Sequence, residues 1–346
     1  MLFKNTSASY KFYWFLSLLD AVARQGKSTV SADELTAGMI AKAWYPLNLF
    51  KLSFGIFDSL GKVVSDTMQT TELSAKTNEI ELREAILERM ATDTKFRQSV
   101  RQLQKCVPFK LLSPWTGSKS DADVVRASAD FASTGVLYEL IRERGTLTVR
   151  VHDDWVPYLV ANYTVLRDFA YWNLLGFVQQ RNPLIPNIAD KLVQSGVRAS
   201  LANQKKFWDT AMNAGAVINC IYTGREMVPG DYDLDHFLPW SFVAHDQLWN
   251  LTPSDASINS SKSDKLPILD CFLEKLVAQQ QDAVRVVLKK GSNLKVLDDF
   301  LSLGFTPQQM AEMEFATLME SYTETFVPLE QIARNTGFEI WNYRGR

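Results

Sequence analysis

Residues 231–267 read DYDLDHFLPWSFVAHDQLWNLTPSDASINSSKSDKLP and form the most distinctive stretch of the chain. An aspartate directly precedes a histidine at Asp235 and His236, and Asn250 follows fourteen positions after that histidine. Asn259 comes nine positions later, and Lys262 three positions after it. A titratable imidazole, several oxygen donors and one cation thus lie within a short span. This combination of residue types suits a metal-assisted reaction.

This spacing resembles the HNH nuclease motif, in the variant that has asparagine in place of the last histidine. The Asp-His start, the turn of Pro239 and Ser241, and the Asn-x-x-Lys-Ser-Asp ending at Asp264 are similar to the HNH domain of the CRISPR RNA-guided effectors. The resemblance covers residues 217–267 of 346. It implies two short strands and a helix around one metal ion. We therefore predict a mainly α fold with a small embedded ββα-metal (HNH) nuclease motif, α+β overall.

The resemblance implies a role for each spaced residue. His236 is expected to be the general base, because an imidazole is largely neutral at pH 7 and can take a proton from water. Asp235 and Asn259 are expected to be metal ligands, because their hard oxygens suit Mg²⁺ better than zinc, with Mn²⁺ as a substitute. Asn250 is expected to tie the loop to the turn that aims the histidine. Lys262 is expected to meet a phosphate oxygen as a point charge.

A second, structural zinc is not expected. Many HNH proteins hold one with two Cys-x-x-Cys pairs, but Thr223 stands where the partner of Cys220 would be, and serines occupy the downstream loop. Such a site normally needs four Cys or His ligands. The chain has three cysteines and three histidines in all. Packing around Cys220 and Tyr222 is expected to replace the zinc, and Cys106 and Cys271 are predicted to be buried apolar residues.

Two histidines lie outside these assignments. His152 follows a strand-like run and precedes two aspartates, which favours a strand-to-helix junction with an aspartate as N-cap over a metal site. His245 lies beside Asp246 in the loop between His236 and Asn250, and it is predicted to be exposed.

Composition describes a folded globular protein, with 46% apolar and 12% aromatic residues. The net charge of −2 is not that of a protein that coats nucleic acid by bulk electrostatics. Basic residues exceed acidic ones in residues 181–225 and 262–295, so a basic surface beside the motif is predicted. The apolar run that starts at Phe12 is too short and too charged to span a bilayer. Three cysteines without a disulfide framework fit a reducing cytoplasm.

Four parts are predicted along the chain: an N-terminal helical recognition or sensing domain (1–110), a middle helical domain (124–213), the nuclease motif (214–267) and a C-terminal helical region that packs on it (268–346). A loop rich in Pro, Gly and Ser over residues 111–123 is the clearest break. A capping box of Ser31 and Glu34 predicts the start of one N-terminal helix. A helix-turn-helix or winged module is an alternative interpretation of that region.

Periodicity and turn residues predict the individual elements. Predicted helices cover residues 9–25, 32–45, 71–92, 93–104, 124–144, 155–180, 200–213, 256–265, 270–290, 293–303 and 307–323. Predicted strands cover residues 146–151, 219–222 and 234–237.

The resemblance predicts a Mg²⁺-dependent endonuclease that hydrolyses DNA phosphodiester bonds in the cytoplasm, without a membrane. RNA stays open as a substrate, because phosphate contacts carry little sequence information. Analogy suggests bacterial restriction or anti-phage defence, as a homodimer or with a defence-system partner protein. The alternatives are a non-cleaving nucleic-acid-binding or regulatory protein with an HNH fold, and a signal-gated HNH toxin that acts on DNA or RNA. The intact Asp235, His236 and Asn259 favour the enzyme.

Overall fold

The structure is a computed structural model that describes residues 2–3, 6–117, 120–143, 145–193, 200–292 and 294–344. It is mainly helical with two small antiparallel sheets among the described residues, and this confirms the predicted fold class. The chain divides into two compact units. The first comprises Met1–Pro183 and Ile188–Gln194, and the second comprises Leu184–Asn187 and Ser195–Arg346.

Helices form most of the first unit. They are α1 (Tyr10–Ala23), α2 (Ala32–Asn48), α3 (Ser59–Gln69), α4 (Glu79–Thr92), α5 (Thr94–Gln102), α6 (Val107–Leu111), α7 (Ser113–Thr116), α8 (Asp121–Ala129), α9 (Phe131–Thr134), α10 (Trp155–Ala161), α11 (Tyr163–Gln179) and α12 (Ile188–Lys191). The predicted capping box opens α2: the Ser31 hydroxyl accepts from the Glu34 amide at 3.1 Å, and the Glu34 carboxylate accepts from the Ser31 amide at 3.1 Å.

A three-stranded antiparallel sheet completes the first unit, with β1 (Thr29–Ser31), β2 (Tyr138–Glu143) and β3 (Thr146–Val151) in the order β1-β3-β2. The strand predicted over residues 146–151 is confirmed as β3. The helix predicted over residues 124–144 is wrong in its second half, which is β2. Tyr138 and Leu140 are buried on one side of β2, so a period of two prevails there over the helical interpretation.

Helix boundaries in the first unit differ from the prediction at several points. The helix predicted from residue 71 begins at Glu79, because Asn78 caps it by accepting from the Glu81 amide. The helix predicted over residues 155–180 is interrupted at Asn162. Residues 111–123 carry α7 and the start of α8 inside the first unit, and positions 118 and 119 lie outside the described residues. Helix α3 had not been predicted.

The second unit contains the nuclease motif and the helices around it. Its elements are α13 (Ala202–Asn213), β4 (Asp233–His236), α14 (Trp240–Val243), β5 (Leu251–Ser254), α15 (Ala256–Lys262), α16 (Leu269–Lys289), α17 (Pro307–Glu312) and α18 (Phe315–Asn335), with 3-10 turns at Leu248–Asn250 and Lys295–Leu303. The helix predicted over residues 307–323 is thus two helices. The one predicted over residues 293–303 is a 3-10 segment, and its first residue lies outside the described part of the chain.

The strand–strand–helix element of the motif consists of β4, β5 and α15. Strands β4 and β5 pair antiparallel, with Asp235 opposite Thr252 and His236 opposite Leu251. The strand predicted over residues 219–222 is wrong: Asn219 forms only an isolated bridge to Glu226, because the chain turns sharply between them. The second predicted strand is therefore the first strand of the observed pair.

A shared apolar core supports this small element. Phe237, just after β4, and Trp249, just before β5, both pack edge-to-face on Phe326 of α18, at 5.4 Å between ring centroids. Phe272 and Leu276 of α16 are fully buried in the same core. Two short strands and a two-turn helix could not bury such a core alone. Among the described residues, no helix is long and apolar enough to cross a bilayer.

Candidate active site

The end of β4 places the Asp-His pair. Neighbouring residues of a strand point to opposite faces. Asp235 contacts the α15 side of the motif, whereas the ring of His236 contacts the loop that follows α14. His236 is also the last residue of β4, and the chain turns at Pro239 into α14. The side chains of Asp235 and His236 are therefore held by contacts with different parts of the second unit.

Asp235 is held in a buried ion pair with Lys262. The exposed fractions of the two side chains are 3% and 0%, and the Lys262 ammonium donates to Asp235 Oδ1 at 3.0 Å. Tyr222 donates its hydroxyl to Asp235 Oδ2 at 2.6 Å. Burial, together with the nearby carboxylate, raises the pKa of Tyr222 well above its usual value. The phenol therefore stays a neutral donor, and both carboxylate oxygens are fixed.

Lys262 lies on α15 as predicted, and its side chain is fully buried. Its ammonium also donates to the main-chain carbonyl of His236 at 2.6 Å. Both contacts of the Lys262 ammonium lie inside the protein, and its contact with a phosphate oxygen stays a prediction. The face of α15 that carries Lys262 packs against β4, so the amine reaches the strand and not the solvent. Lys262 links the main chain of His236 to the side chain of Asp235.

His236 has a carboxylate partner that had not been predicted. Its Nε2 lies 2.8 Å from Asp246 Oδ1, and the two side chains are 8% and 18% exposed. The main-chain carbonyl of Asp246 accepts from Gln204 Nε2 at 2.9 Å. In the sequence, Asp246 is distinguished only as the neighbour of His245. Its position ten residues after the histidine, across a turn at proline, was the only available signal.

Asn250 joins the two sides of the turn that follows His236. It is fully buried; its Nδ2 donates to the Leu238 carbonyl at 2.9 Å, and its Oδ1 accepts from the Leu238 amide at 2.8 Å. The Phe237 amide donates to the main-chain carbonyl of Asn250 at 2.8 Å. The side chain thus acts like an additional rung of the β ladder, and the direction of the chain after His236 is fixed.

A second layer of contacts holds the 245–251 loop. Gln280 Nε2 lies within 3.2 Å of the carbonyls of Leu248, Trp249 and Leu251, and the Tyr322 hydroxyl donates to Gln280 Oε1. These contacts are buried between α16 and α18. Gln280 therefore fixes the main chain of this loop on both sides of Asn250.

Asn259 lies on α15, three residues before Lys262, and contacts the same strand. Its Nδ2 donates to Asp233 Oδ2 at 3.4 Å. Asp233 and Asp235 are two residues apart on β4, so both side chains point to the same face. This face thus presents carboxylate and amide oxygens. Among the described residues, no group of three or more His, Cys, Asp or Glu side chains is close enough to hold a metal ion.

Hydrogen bonds connect the two loops where zinc-binding pairs would stand. The Thr223 hydroxyl donates to Asp255 Oδ2 at 2.7 Å, and Arg225 forms an ion pair with Asp255, with 2.8 Å between Nε and Oδ1. Cys220 is buried. The prediction for the other two cysteines is wrong, since Cys106 is exposed and Cys271 is half-buried. Cys106 directly precedes α6, and Cys271 lies in the first turn of α16, where it packs against the edge of the core.

The remaining histidines have structural partners. His152 donates from Nε2 to the Ser128 carbonyl at 3.0 Å, at the predicted junction between β3 and α10. The residue at the N-cap of α10 is Asp154, but its side chain makes no capping hydrogen bond. His245 is half-buried and not exposed as predicted, because its ring packs on Trp249 at 5.1 Å between centroids.

Comparison with known proteins gives one match. No curated protein and no solved structure matches the chain. A family model described as HNH endonuclease matches residues 220–268. The matched residues contain β4, β5 and α15 together with the predicted site residues. Over this segment the chain is thus similar to the HNH endonuclease family, as the spacing of its motif predicts.

Proposed function

We propose that the second unit is a divalent-metal-dependent endonuclease that hydrolyses phosphodiester bonds in DNA. The observation that carries this proposal is the end of β4, where Asp235 and His236 are each held by a separate set of buried or half-buried partners within a segment similar to HNH endonucleases. A protein that only kept the fold would not need this support for both side chains.

Mg²⁺ fits the oxygen donors on the α15 face of β4. Asp235 and Asn259 would hold it. The Asp235 carboxylate accepts two hydrogen bonds, and a carboxylate has about four acceptor positions, so it keeps capacity for a cation. The Asn259 amide nitrogen is turned to Asp233, which leaves the amide oxygen as its ligand atom. A bound metal would neutralise charge on the scissile phosphate and the leaving oxygen. Mn²⁺ is expected to substitute.

His236 is the proposed general base that takes the proton from the attacking water. Three contacts fix its position: the β4–β5 pairing, the bond from Lys262 to its carbonyl, and the contact of its ring with Asp246. Asn250 fixes the turn directly after it. Rigid positioning of this kind keeps the reacting groups near the productive geometry and lowers the entropy cost of the reaction.

The charge around the motif supports a nucleic-acid substrate. Basic side chains from both flanking stretches are exposed on the second unit: Lys205, Lys206, Arg225, Lys265, Lys275, Arg285, Lys289, Lys290 and Lys295. Lys191, from the same stretch, is buried in the first unit and does not contribute. DNA is the proposed substrate, with RNA tested beside it. Restriction or anti-phage defence in the cytoplasm is the proposed setting, and a homodimer would allow both strands to be cut.

Plasmid cleavage tests the proposal. Wild type should nick supercoiled DNA with Mg²⁺ or Mn²⁺ and not with EDTA, and His236→Ala should lose this activity. His152→Ala is the matched control, because that histidine lies in the first unit with a structural partner, and it should cut like wild type. A labelled RNA in parallel reactions separates the two substrates. Binding of DNA without cleavage in any metal would refute the enzyme and favour the non-cleaving alternative.

A further inference from the structure

We propose that Asp246 is a positioning residue for His236, which fixes the ring tautomer whose Nδ1 takes the proton from water. This inference rests on the proposed nuclease function and deepens it. The spacing of the motif residues assigns no role to Asp246. The contact that suggests it is the 2.8 Å approach of His236 Nε2 to Asp246 Oδ1.

The chemistry of the two groups decides the direction of this hydrogen bond. An ionised carboxylate only accepts, whereas a neutral imidazole has one donor nitrogen and one acceptor nitrogen. Nε2 must then carry the proton and donate to Asp246, and Nδ1 must be the basic nitrogen. Carboxylates that orient a catalytic histidine in this way hold it in the correct tautomer. Asp246 thus selects which nitrogen of His236 acts as the base.

Both partners are held independently of each other. The main chain of Asp246 is tied to α13 by Gln204 Nε2, which donates to its carbonyl at 2.9 Å. Two residues further on, the Leu248 amide donates to Asp299 Oδ2 at 2.7 Å. The main chain of His236 is held by β5 and Lys262. The contact is therefore a consequence of the fold on both sides, unlike a surface ion pair between two flexible side chains.

Partial burial adds to the effect of the contact. The side chains of His236 and Asp246 are 8% and 18% exposed, so water competes only weakly for the hydrogen bond. Hydrogen bonds are stronger where the local dielectric constant is low. An uncharged amide at position 246 has nearly the same shape but can donate as well as accept. It would therefore allow both tautomers without a large change in packing.

Kinetics of Asp246→Asn test the proposal. In serine-protease triads, the same change of carboxylate to amide lowers kcat by about 10⁴-fold because the wrong tautomer forms. A loss of about 10²- to 10⁴-fold in kcat is expected here, with KM for DNA changed less than about threefold. Asp246→Glu, which keeps the acceptor, should recover part of the loss. Asp282→Asn, an exposed position on α16 whose side chain is 67% exposed, is the matched control and should behave as wild type.

Nitrogen-15 spectra of the labelled histidines report the tautomer of His236, which would not change if Asp246 only stabilised the fold. With the imidazole neutral, the His236 signals of wild type should show the Nε2–H tautomer, and Asp246→Asn should shift them towards a mixture. His236→Gln assigns the signals by their loss. Thermal melting of each variant confirms that it is folded, and Asp246→Ser provides a second variant if Asp246→Asn is not.

The outcomes separate this inference from the proposed function. Wild-type kcat and an unchanged tautomer in folded Asp246→Asn would overturn the role of Asp246, even if His236→Ala abolishes cleavage. If wild type cuts no nucleic acid, the proposed function fails. The spectra still test the positioning role in that case. A wild-type Nε2–H tautomer that is lost in Asp246→Asn supports this role, and one that persists in Asp246→Asn refutes it.

Discussion

Replacement of Lys262 with methionine should destabilise the second unit, because Asp235 on β4 then loses its ion pair with α15. Methionine retains the length of the apolar stem but removes the charge, so the loss in packing is small. The Asp235 carboxylate would keep the hydroxyl of Tyr222 and lose its buried counter-ion. The main-chain carbonyl of His236 would lose its donor as well.

The magnitude follows from burial and from the number of bonds lost. Removing one partner of a buried ion pair costs about 3–5 kcal/mol, because an uncompensated charge stays inside. Lys262 and Asp235 are 0% and 3% exposed, so this range applies without a discount for solvent. Hydrogen bonds to charged groups contribute about 1.5–3 kcal/mol each. Lys262 makes two such bonds, at 3.0 and 2.6 Å, which gives a similar total.

Hydrogen exchange measured by mass spectrometry suits this test, because it reports local opening without a two-state assumption for the two-unit chain. Peptides that cover β4 and β5 should exchange faster in Lys262→Met than in wild type. The double variant with Asp235→Asn should recover much of the protection, since the buried charge is then gone. Lys265→Met is the control: its side chain is 47% exposed, and its removal should change stability by less than about 1 kcal/mol.

Equal protection of β4 and β5 in wild type and Lys262→Met would refute the buried pair. If the same variant also bound DNA more weakly, with a smaller dependence on salt, Lys262 would contact phosphate as the sequence alone had suggested.

Three more predictions concern stability. Tyr222→Phe removes a neutral donor from the buried Asp235 carboxylate and should cost about 1.5–3 kcal/mol in urea unfolding, whereas an unchanged midpoint would contradict the contact. Asn250→Ala leaves both main-chain groups of Leu238 without their partner and should cost at least about 2 kcal/mol and lower kcat; wild-type stability would rule out this bridge. In the first unit, burial raises the pKa of Asp33, but hydrogen bonds from an arginine and a glutamine lower it more, so this pKa lies below its usual value. The contribution of the Asp33 carboxylate to stability is therefore present above the unfolded pKa of about 3.9, and it is lost as the pH falls through the folded pKa. Melting temperatures of wild type and Asp33→Asn should differ at pH 7 and converge in acid; a constant difference would refute the assignment.

Local signals in the sequence were sufficient for much of the motif. The spacing of Asp235, His236 and Asn259 located the segment that is similar to HNH endonucleases, and Ser31 with Glu34 located the start of α2. The bridge made by Asn250 is the contact that the resemblance implied. These features depend on residues close in the chain or on fixed spacing, so a single sequence contains them.

Features that depend on tertiary packing could not be read in this way. The burial of Lys262 follows from the packing of α15 on β4, and no local pattern distinguishes it from an exposed phosphate contact. The contact of Asp246 with His236 requires the turn at Pro239 and the hydrogen bonds from Gln280 to the main chain of the 245–251 loop. Strand β2 was mistaken for a helix because its partner strand, and not its own propensity, determines its conformation.

The rate of strand scission with and without the imidazole of His236 tests the nuclease mechanism most directly. Under single-turnover conditions with saturating Mg²⁺, a labelled duplex should be cut by wild type at a rate that falls about 10²- to 10⁴-fold in His236→Ala, the range expected for loss of a general base. Binding of the duplex should stay nearly unchanged, and EDTA should stop the reaction in wild type. Cleavage by His236→Ala at the wild-type rate would show that this histidine is not the base and that the end of β4 is not the catalytic centre.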